Sequence, residues 1–247
     1  MNSPRFFVGE DAGELIAGHE FVLPNAAAHH AANVLRMHAG DPLILFTGRG
    51  GEFAATVVAA DRRSVKARID TFLAVEREAA IPVTLVQGLA ANDPMDIALR
   101  KAVELGATAI QPIVTERSAR WPDGERAARR LSRWRQLVVA ACEQCGRNRV
   151  PPVFDATSWH DWLAHRDPSS TGIVLSPTAL RSFAQLPRPP EGVDLMVGPE
   201  GGFTDAEIAL ALAADSVAVR LGPRVVRTET AGVAALAAIH ALWGDFR

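Results

Sequence analysis

The chain has 247 residues, 48% of them hydrophobic and 22% charged, enough to bury one large core or two modest ones in an ordinary water-soluble globular protein. No apolar stretch is long enough for a membrane span and no signal-peptide core follows the N-terminus, so a cytoplasmic location is expected. The net charge of −2 gives no global attraction to nucleic acid, and such a partner would need a local basic patch.

In chain order, Arg5-Phe-Phe-Val8 reads as a strand and Ala28 to Arg36 as a short helix. Pro42–Phe46 and 51–58 flank Thr47-Gly-Arg-Gly50, a strong hairpin signal, and 64–69 alternates polar with apolar as a half-exposed strand does. Residues 1–74 are therefore expected to form a small β-rich barrel domain, and Glu76-Arg-Glu78 with Pro82 to mark its boundary. Residues 75–247 alternate strand and helix: strand 83–88, helix 94–105, strand 108–114, helix 125–145, strands 172–176 and 193–197, helix 204–213, strand 217–221 and helix 229–242. That order predicts an α/β domain with a mainly parallel sheet. The last helix is apolar almost all round, so its own fold or a partner subunit must cover more than one side.

Arginines concentrate between Arg117 and Arg149, with Trp121 and Trp134 among them, while the whole chain has only Lys66 and Lys101. Arginine suits bidentate phosphate contacts and stacking on bases; the same pattern also fits a solvated helix face with a tryptophan packed beneath it. Cys142 and Cys145 form a C-x-x-C inside a helical pattern, with no second cysteine pair to complete a zinc site, and read as small buried hydrophobes. His29, His30 and His38 lack companions at ligand spacing, so no metal is expected.

The chemistry concentrates in two glycine-rich loops. Leu195-Met-Val-Gly-Pro-Glu-Gly-Gly-Phe-Thr-Asp-Ala-Glu207 joins a buried strand to a helix that Thr204 and Glu207 can cap as a box. Leu221-Gly-Pro-Arg-Val-Val-Arg-Thr-Glu-Thr-Ala231 does the same after the next strand. Neither is a P-loop or a dinucleotide fingerprint, since both G-K-[ST] and G-x-G-x-x-G are missing. Each loop read alone could be a tight connection without a ligand. Side by side at the carboxyl ends of parallel strands, the two would enclose a ligand crevice.

These residues resemble the RsmE family of small-subunit ribosomal RNA uridine methyltransferases, in the SPOUT superfamily. The likeness runs through Arg5-Phe-Phe, His30-x-x-Asn-Val-Leu-Arg36 with Gly40-Asp41, Lys101-Ala-Val-Glu-Leu-Gly106, Glu116-Arg117-Ser118, Trp134, Glu143-Gln144 with Arg147 and Pro151-Pro152, and the two loops. The family carries lysines before its first catalytic-domain helix, where this chain has Ala91-Asn-Asp-Pro-Met95. The resemblance implies a PUA-like β-barrel followed by a trefoil-knotted α/β domain, a homodimer, and S-adenosylmethionine as methyl donor. The implied reaction is methylation of uridine N3 in 16S rRNA near the decoding centre, on the assembled small ribosomal subunit.

On that likeness the donor site takes Leu175, Ser176, Pro177, Val197, Gly198, Pro199, Glu200, Gly201, Gly202, Leu221, Gly222, Val225, Val226, Arg227, Thr230 and Ala231. Arg227 would stabilise charge on a uracil oxygen, with Glu229 or Glu200 as general base. Arg5, His30, Arg36, Arg117, Arg133, Arg147 and Arg149 would contact RNA. A knotted relative acting elsewhere, such as on tRNA ribose 2′-O, is the nearest alternative. A non-catalytic RNA-binding module would keep the barrel and the arginines but bind no donor, and a nicotinamide oxidoreductase would need the absent fingerprint.

Overall fold

The computed structural model describes residues 3–10 and 12–246. They divide into two units: residues up to Glu78 with Cys142–Val150, and Ala79–Ala141 with everything from Pro151 on.

In the first unit, β1 (Arg5–Phe7), β2 (Glu20–Val22), β3 (Pro42–Phe46), β4 (Glu52–Ala60) and β5 (Val65–Leu73) form one sheet in the order β1-β3-β4-β5-β2. The β1–β3 pair is parallel and the other pairs are antiparallel. Period-two alternation selects the buried face: Leu43 and Leu45, Ala55 and Val57, then Val65, Ala67 and Ile69 share a core with Phe6. The β3–β4 hairpin is the expected one, with Gly48, Gly50 and Gly51 all at positive φ. The expected helix over 28–36 is different. Helix α1 (Asn25–His29) passes into a π-helical turn over His30–Val34, where Leu35 N donates to the His30 carbonyl at 2.9 Å. Ala28, Ala31 and Met37 are all buried, and the wider turn brings them to one core before Arg36 leaves at φ 54°.

The charged run at 76–78 falls at the boundary, as expected, since the first unit ends at Glu78, and its side chains also fasten that unit. Glu76 accepts from Gly51 N (2.6 Å) and pairs with Arg149 (3.3 Å); Arg77 donates to Glu52 (2.9 Å) and to the Gly146 carbonyl (2.9 Å); Glu78 pairs with Arg147. Arg5 donates to Glu52 (2.6 Å) and to Asn148, and Phe7 N donates to Glu143 (2.9 Å). Residues 142–150 are thereby held within the first unit.

Burial acts to raise the Glu52 carboxyl, but hydrogen bonds from Arg77, Arg5 and Asn148 outweigh it and bring the pKa from 4.5 down to about 2. A carboxyl held lower in the fold than in the unfolded chain adds stability above its unfolded pKa and loses it as pH falls through the folded one. The first unit should therefore lose roughly 3 kcal/mol between pH 4.5 and 2 from this group. Glu143 acts in the opposite sense, because burial raises its carboxyl and its contribution is greatest in acid. In Glu52→Gln protein, acid unfolding followed by circular dichroism should lose most of its slope in that window. An unchanged slope would assign the loss to other carboxylates.

The second unit contains β6 (Val83–Gly88), α2 (Asn92–Glu104), β7 (Ala109–Val114), α3 (Gly124–Cys145), β8 (Thr157–Ser158), α4 (Trp159–His165), β9 (Thr171–Leu175), β10 (Val193–Val197), α5 (Asp205–Ala213), β11 (Val217–Val219) and α6 (Thr228–Leu242), with Cys142–Cys145 of α3 belonging to the first unit. Its sheet runs β11-β9-β10-β6-β7-β8 and every pair is parallel, as expected of an α/β fold. One face packs Leu85, Leu195 and Val197 against Ala235, Leu236 and Ile239 of α6. The other packs Val86, Val174 and Met196 against Trp159, Phe203 and Ala211. Burial on both faces is why β6 and β10 read as unbroken apolar runs.

The sequence reading assigned no element to the stretch holding β8 and α4. There Trp159 is buried and Ser158 caps α4 by accepting from Asp161 N at 3.1 Å. The last strand stops at Val219, two residues short of expectation, because Leu221 already belongs to the following loop.

Trp134 is fully buried, with the Arg130 guanidinium 4.9 Å from its ring centre and 5.5 Å from that of Trp121. Arg130 also donates to the Ala90 carbonyl (3.1 Å), so this part of the arginine cluster is packing. Cys142 is buried and donates to the Arg149 carbonyl (3.7 Å); burial pushes its thiol up to about 12, so it stays protonated and unreactive. Among the described residues no group of three His, Cys, Asp or Glu is arranged to hold a metal, and no helix is long and apolar enough to cross a membrane.

Candidate ligand site

Three chain segments leave adjacent parallel strands at their carboxyl ends and meet around one cavity of about 280 Å³ in the second unit. The first follows β9, where Ser176 N donates to the Val219 carbonyl at 3.0 Å. The second is Gly198–Gly202 after β10, and the third is Leu221–Val226 between β11 and α6.

The glycine loop is held from several sides. Thr204 and Glu207 form the expected capping box, with Glu207 N donating to Thr204 Oγ1 (3.2 Å) and Thr204 N to Glu207 Oε2 (2.9 Å). Glu207 Oε1 accepts from Glu116 N (2.8 Å), and Arg117 donates to the Gly201 carbonyl (2.9 Å). Glu200 accepts from Ala91 N at 2.8 Å. A Cβ on Gly88 would stand 2.6 Å from Pro199 N, so the close approach of β6 to this loop requires glycine there. Beneath the loop, Gln87 Nε2 donates to Thr228 Oγ1 (2.9 Å), which donates to the Gly198 carbonyl (2.6 Å).

The expected residues Leu175, Ser176, Pro177, Val197, Gly198, Pro199, Glu200, Gly201, Gly202, Leu221, Gly222, Val225, Val226 and Ala231 all line this cavity. Arg227 and Thr230 do not. Helix α6 starts at Thr228, which turns its buried side chain inward, whereas Arg227 and Thr230 are exposed. Glu229 is half-buried in the first turn of α6 and is not in the wall. Ile208 and Val219 are wall residues outside the two expected loops, Phe203, Arg224 and Thr228 are wall residues within them, and Arg117 is a wall residue expected on RNA. Thr228 was within reach, since it lies one residue before the expected helix start.

The walls are apolar, with Arg117 and Arg224 as cations and Glu200 as the one carboxylate. Such a cavity accepts a flat apolar group on its walls and a carboxylate near the arginines.

The arginines expected on RNA divide by environment. In the first unit Arg147 is 3% exposed and paired with Glu78, and Arg5 is mostly buried against Glu52 and Asn148. Both guanidinium groups are committed to ion pairs, Arg5 with the buried Glu52 and Arg147 with the half-buried Glu78, and freeing either would strand a carboxylate. Arg149 is exposed beside Glu76; Arg36 is exposed; His30 is exposed with its ring edge-on to Phe6. In the second unit Arg133 is exposed and forms a bidentate pair with Asp96.

Fold and site together define a PUA-domain RNA methyltransferase: residues 77–240 match the RNA methyltransferase domain family and residues 23–70 the RNA methyltransferase PUA domain family. The chain is 31% identical to the ribosomal RNA small subunit methyltransferase E of Bacillus subtilis, over 95% of each chain. The corresponding crystal structure from Neisseria gonorrhoeae, bound to S-adenosyl methionine, superposes with a TM-score of 0.93 at 37% identity, covering 100% of both chains. A methyltransferase from Legionella pneumophila, in complex with the same cofactor, gives 0.94 at 33% identity, again covering 100% of both. The chain belongs to the ribosomal RNA small subunit methyltransferase E family.

Proposed function

We propose that this protein methylates N3 of one uridine in 16S rRNA, on the assembled small ribosomal subunit, with S-adenosylmethionine as donor. The observation that carries this reading is the cavity built by three strand-end loops in a chain of this family. Its residues fit the donor: apolar walls at Leu175, Val197 and Leu221 suit the adenine, arginines suit the methionine carboxylate, and the glycine backbone admits close approach. When bound, S-adenosylmethionine supplies a methyl group on a sulfonium.

The protein's own work is positioning and charge. An in-line transfer gains most of its rate from holding donor and acceptor in register. Arg227 lies between Val226 and Thr228, which both line the cavity, and its exposed side chain is left for the substrate. We assign it to stabilising negative charge on a uracil oxygen. Glu200 is tied to Ala91 and orients its loop, so Glu229 is the carboxylate assigned to receive the N3 proton. Arg36, Arg133, Arg149 and His30 are assigned to the RNA and Arg117 to the wall of the donor cavity, with residues 1–74 as the RNA-binding domain and 75–247 as the catalytic one.

A homodimer and a trefoil knot belong to the same reading. Gly232, Ala235, Leu236, Ile239 and His240 of α6 are buried, while Leu242 and the nearby Val225 remain exposed, which supports a partner subunit there. Strand β11 lies outside β9, yet α6 returns onto β10 and β6; that crossing supports threading of the chain. A cytoplasmic location completes the proposal.

The test is to incubate small subunits from a strain lacking this protein with labelled S-adenosylmethionine and map the modified atom. Label is expected on N3 of one 16S uridine, and Arg227→Ala should lower turnover ~100-fold or more. Label on a ribose oxygen, or on tRNA alone, would assign the chain to another target.

A further inference from the structure

Gln87 is fully buried at the end of β6, in a strand whose other residues are almost all apolar. A buried amide there costs free energy unless its donors are used. They are: Nε2 donates to the Gly88 carbonyl (3.0 Å) and to Thr228 Oγ1 (2.9 Å), with the Gly198 carbonyl at 3.5 Å. The Thr228 hydroxyl in turn donates a hydrogen bond to the Gly198 carbonyl at 2.6 Å. Gln87 Oε1 has no partner among the described residues, so the amide is oriented by its donors alone.

Three distant points of the chain thus share one hydrogen-bonded lock: the end of β6, the first residue of the β10 loop and the first residue of α6. Gly198 has no Cβ to restrict its rotation, and Pro199 after it has no N–H to anchor it. The carbonyl held by Thr228 therefore sets which way this loop faces the cavity.

We propose that Gln87 and Thr228 are positioning residues that preset the spacing of the two glycine loops and thereby the affinity for the methyl donor. The inference rests on the donor assignment made above. A loop fixed before binding has less to order on binding, so the lock acts on affinity rather than on the chemical step. Neither residue needs to touch the reacting atoms.

Titration calorimetry with S-adenosylmethionine, alongside thermal unfolding, tests this. Thr228→Val keeps the shape and removes the hydroxyl, and should weaken binding ~10-fold. Thr228→Ser restores the hydroxyl and should recover most of that loss. Gln87→Leu should show a defect like that of Thr228→Val, and the double variant should bind no more weakly than either single one, because both break one device. At saturating donor the kcat of Gln87→Leu, whose altered side chain lies beneath the cavity rather than in its wall, should stay within about threefold of the parent while KM rises.

Folded Thr228→Val that binds within twofold of the parent would overturn the lock, as would losses that simply add in the double variant. Should Gln87→Leu fail to fold, the Val and Ser variants at 228 still decide the matter. Parent protein that gives no heat would overturn the donor assignment and the lock together, an outcome distinct from intact binding in Thr228→Val.

Discussion

Gly88→Ala is expected to weaken S-adenosylmethionine binding by roughly 10- to 100-fold, while the protein stays folded. The added Cβ would sit 2.6 Å from Pro199 N and 3.0 Å from the Gly198 carbonyl carbon, both backbone atoms. They cannot rotate aside as a side chain can, so the β10 loop must move off β6 and distort the cavity that Gly198 and Pro199 line. Gly202→Ala provides the contrast. Nothing lies within 4 Å of its Cβ position, and only its φ of 68° is unfavourable, which costs about 1–2 kcal/mol. Calorimetry on both variants checks the ranking. Equal losses would mean that backbone strain rather than the close approach governs the site.

Arg147→Ala is expected to destabilise the first unit by about 3–5 kcal/mol, because it strands a mostly buried carboxylate within that unit. Arg147 is 3% exposed and Glu78, its partner, has a side chain 19% exposed. Two residues along, Arg149 is 56% exposed in its side chain and pairs with Glu76 at 3.3 Å. Its removal should cost at most about 1 kcal/mol. Any weakening of RNA binding by Arg149→Glu should fade as salt rises, as phosphate contacts do. Thermal melts of both alanine variants separate the roles. An Arg147→Ala protein that melts with the parent would put that arginine back among the RNA contacts.

The two arginines show where a one-dimensional pattern stops being informative. Both sit in the same basic run, and no local signal separates a buried ion pair from an exposed cation. The difference lies in Glu78, 69 residues away in sequence, which the fold brings against only one of them. Glu76-Arg77-Glu78 is the same case from the other side: a charged run beside a proline reads as a boundary, which it is, but its ion pairs to Arg147 and Arg149 exist only because residues 142–150 return to the first unit. The π-helical turn at His30–Val34 was equally hidden, since the demand that Ala28, Ala31 and Met37 share a core is tertiary.

The amino-acid order by itself determined the parts whose physics is local. Val193–Val197 is a buried parallel strand because it is apolar throughout, and Thr204 with Glu207 starts a helix because the two cap each other within one turn. The glycines, prolines and strand ends of the cavity were legible for the same reason, since each is set by residues a few positions away. Only the tertiary structure decided that Thr228 rather than Arg227 faces the cavity, that Gln87 anchors it from beneath, and that Arg147 pairs with Glu78. Those outcomes depend on partners brought together across 30, 141 and 69 positions of chain. Hydrogen bonds and ion pairs act over a few ångströms, so such partners are chosen by the packed fold and leave no periodicity behind.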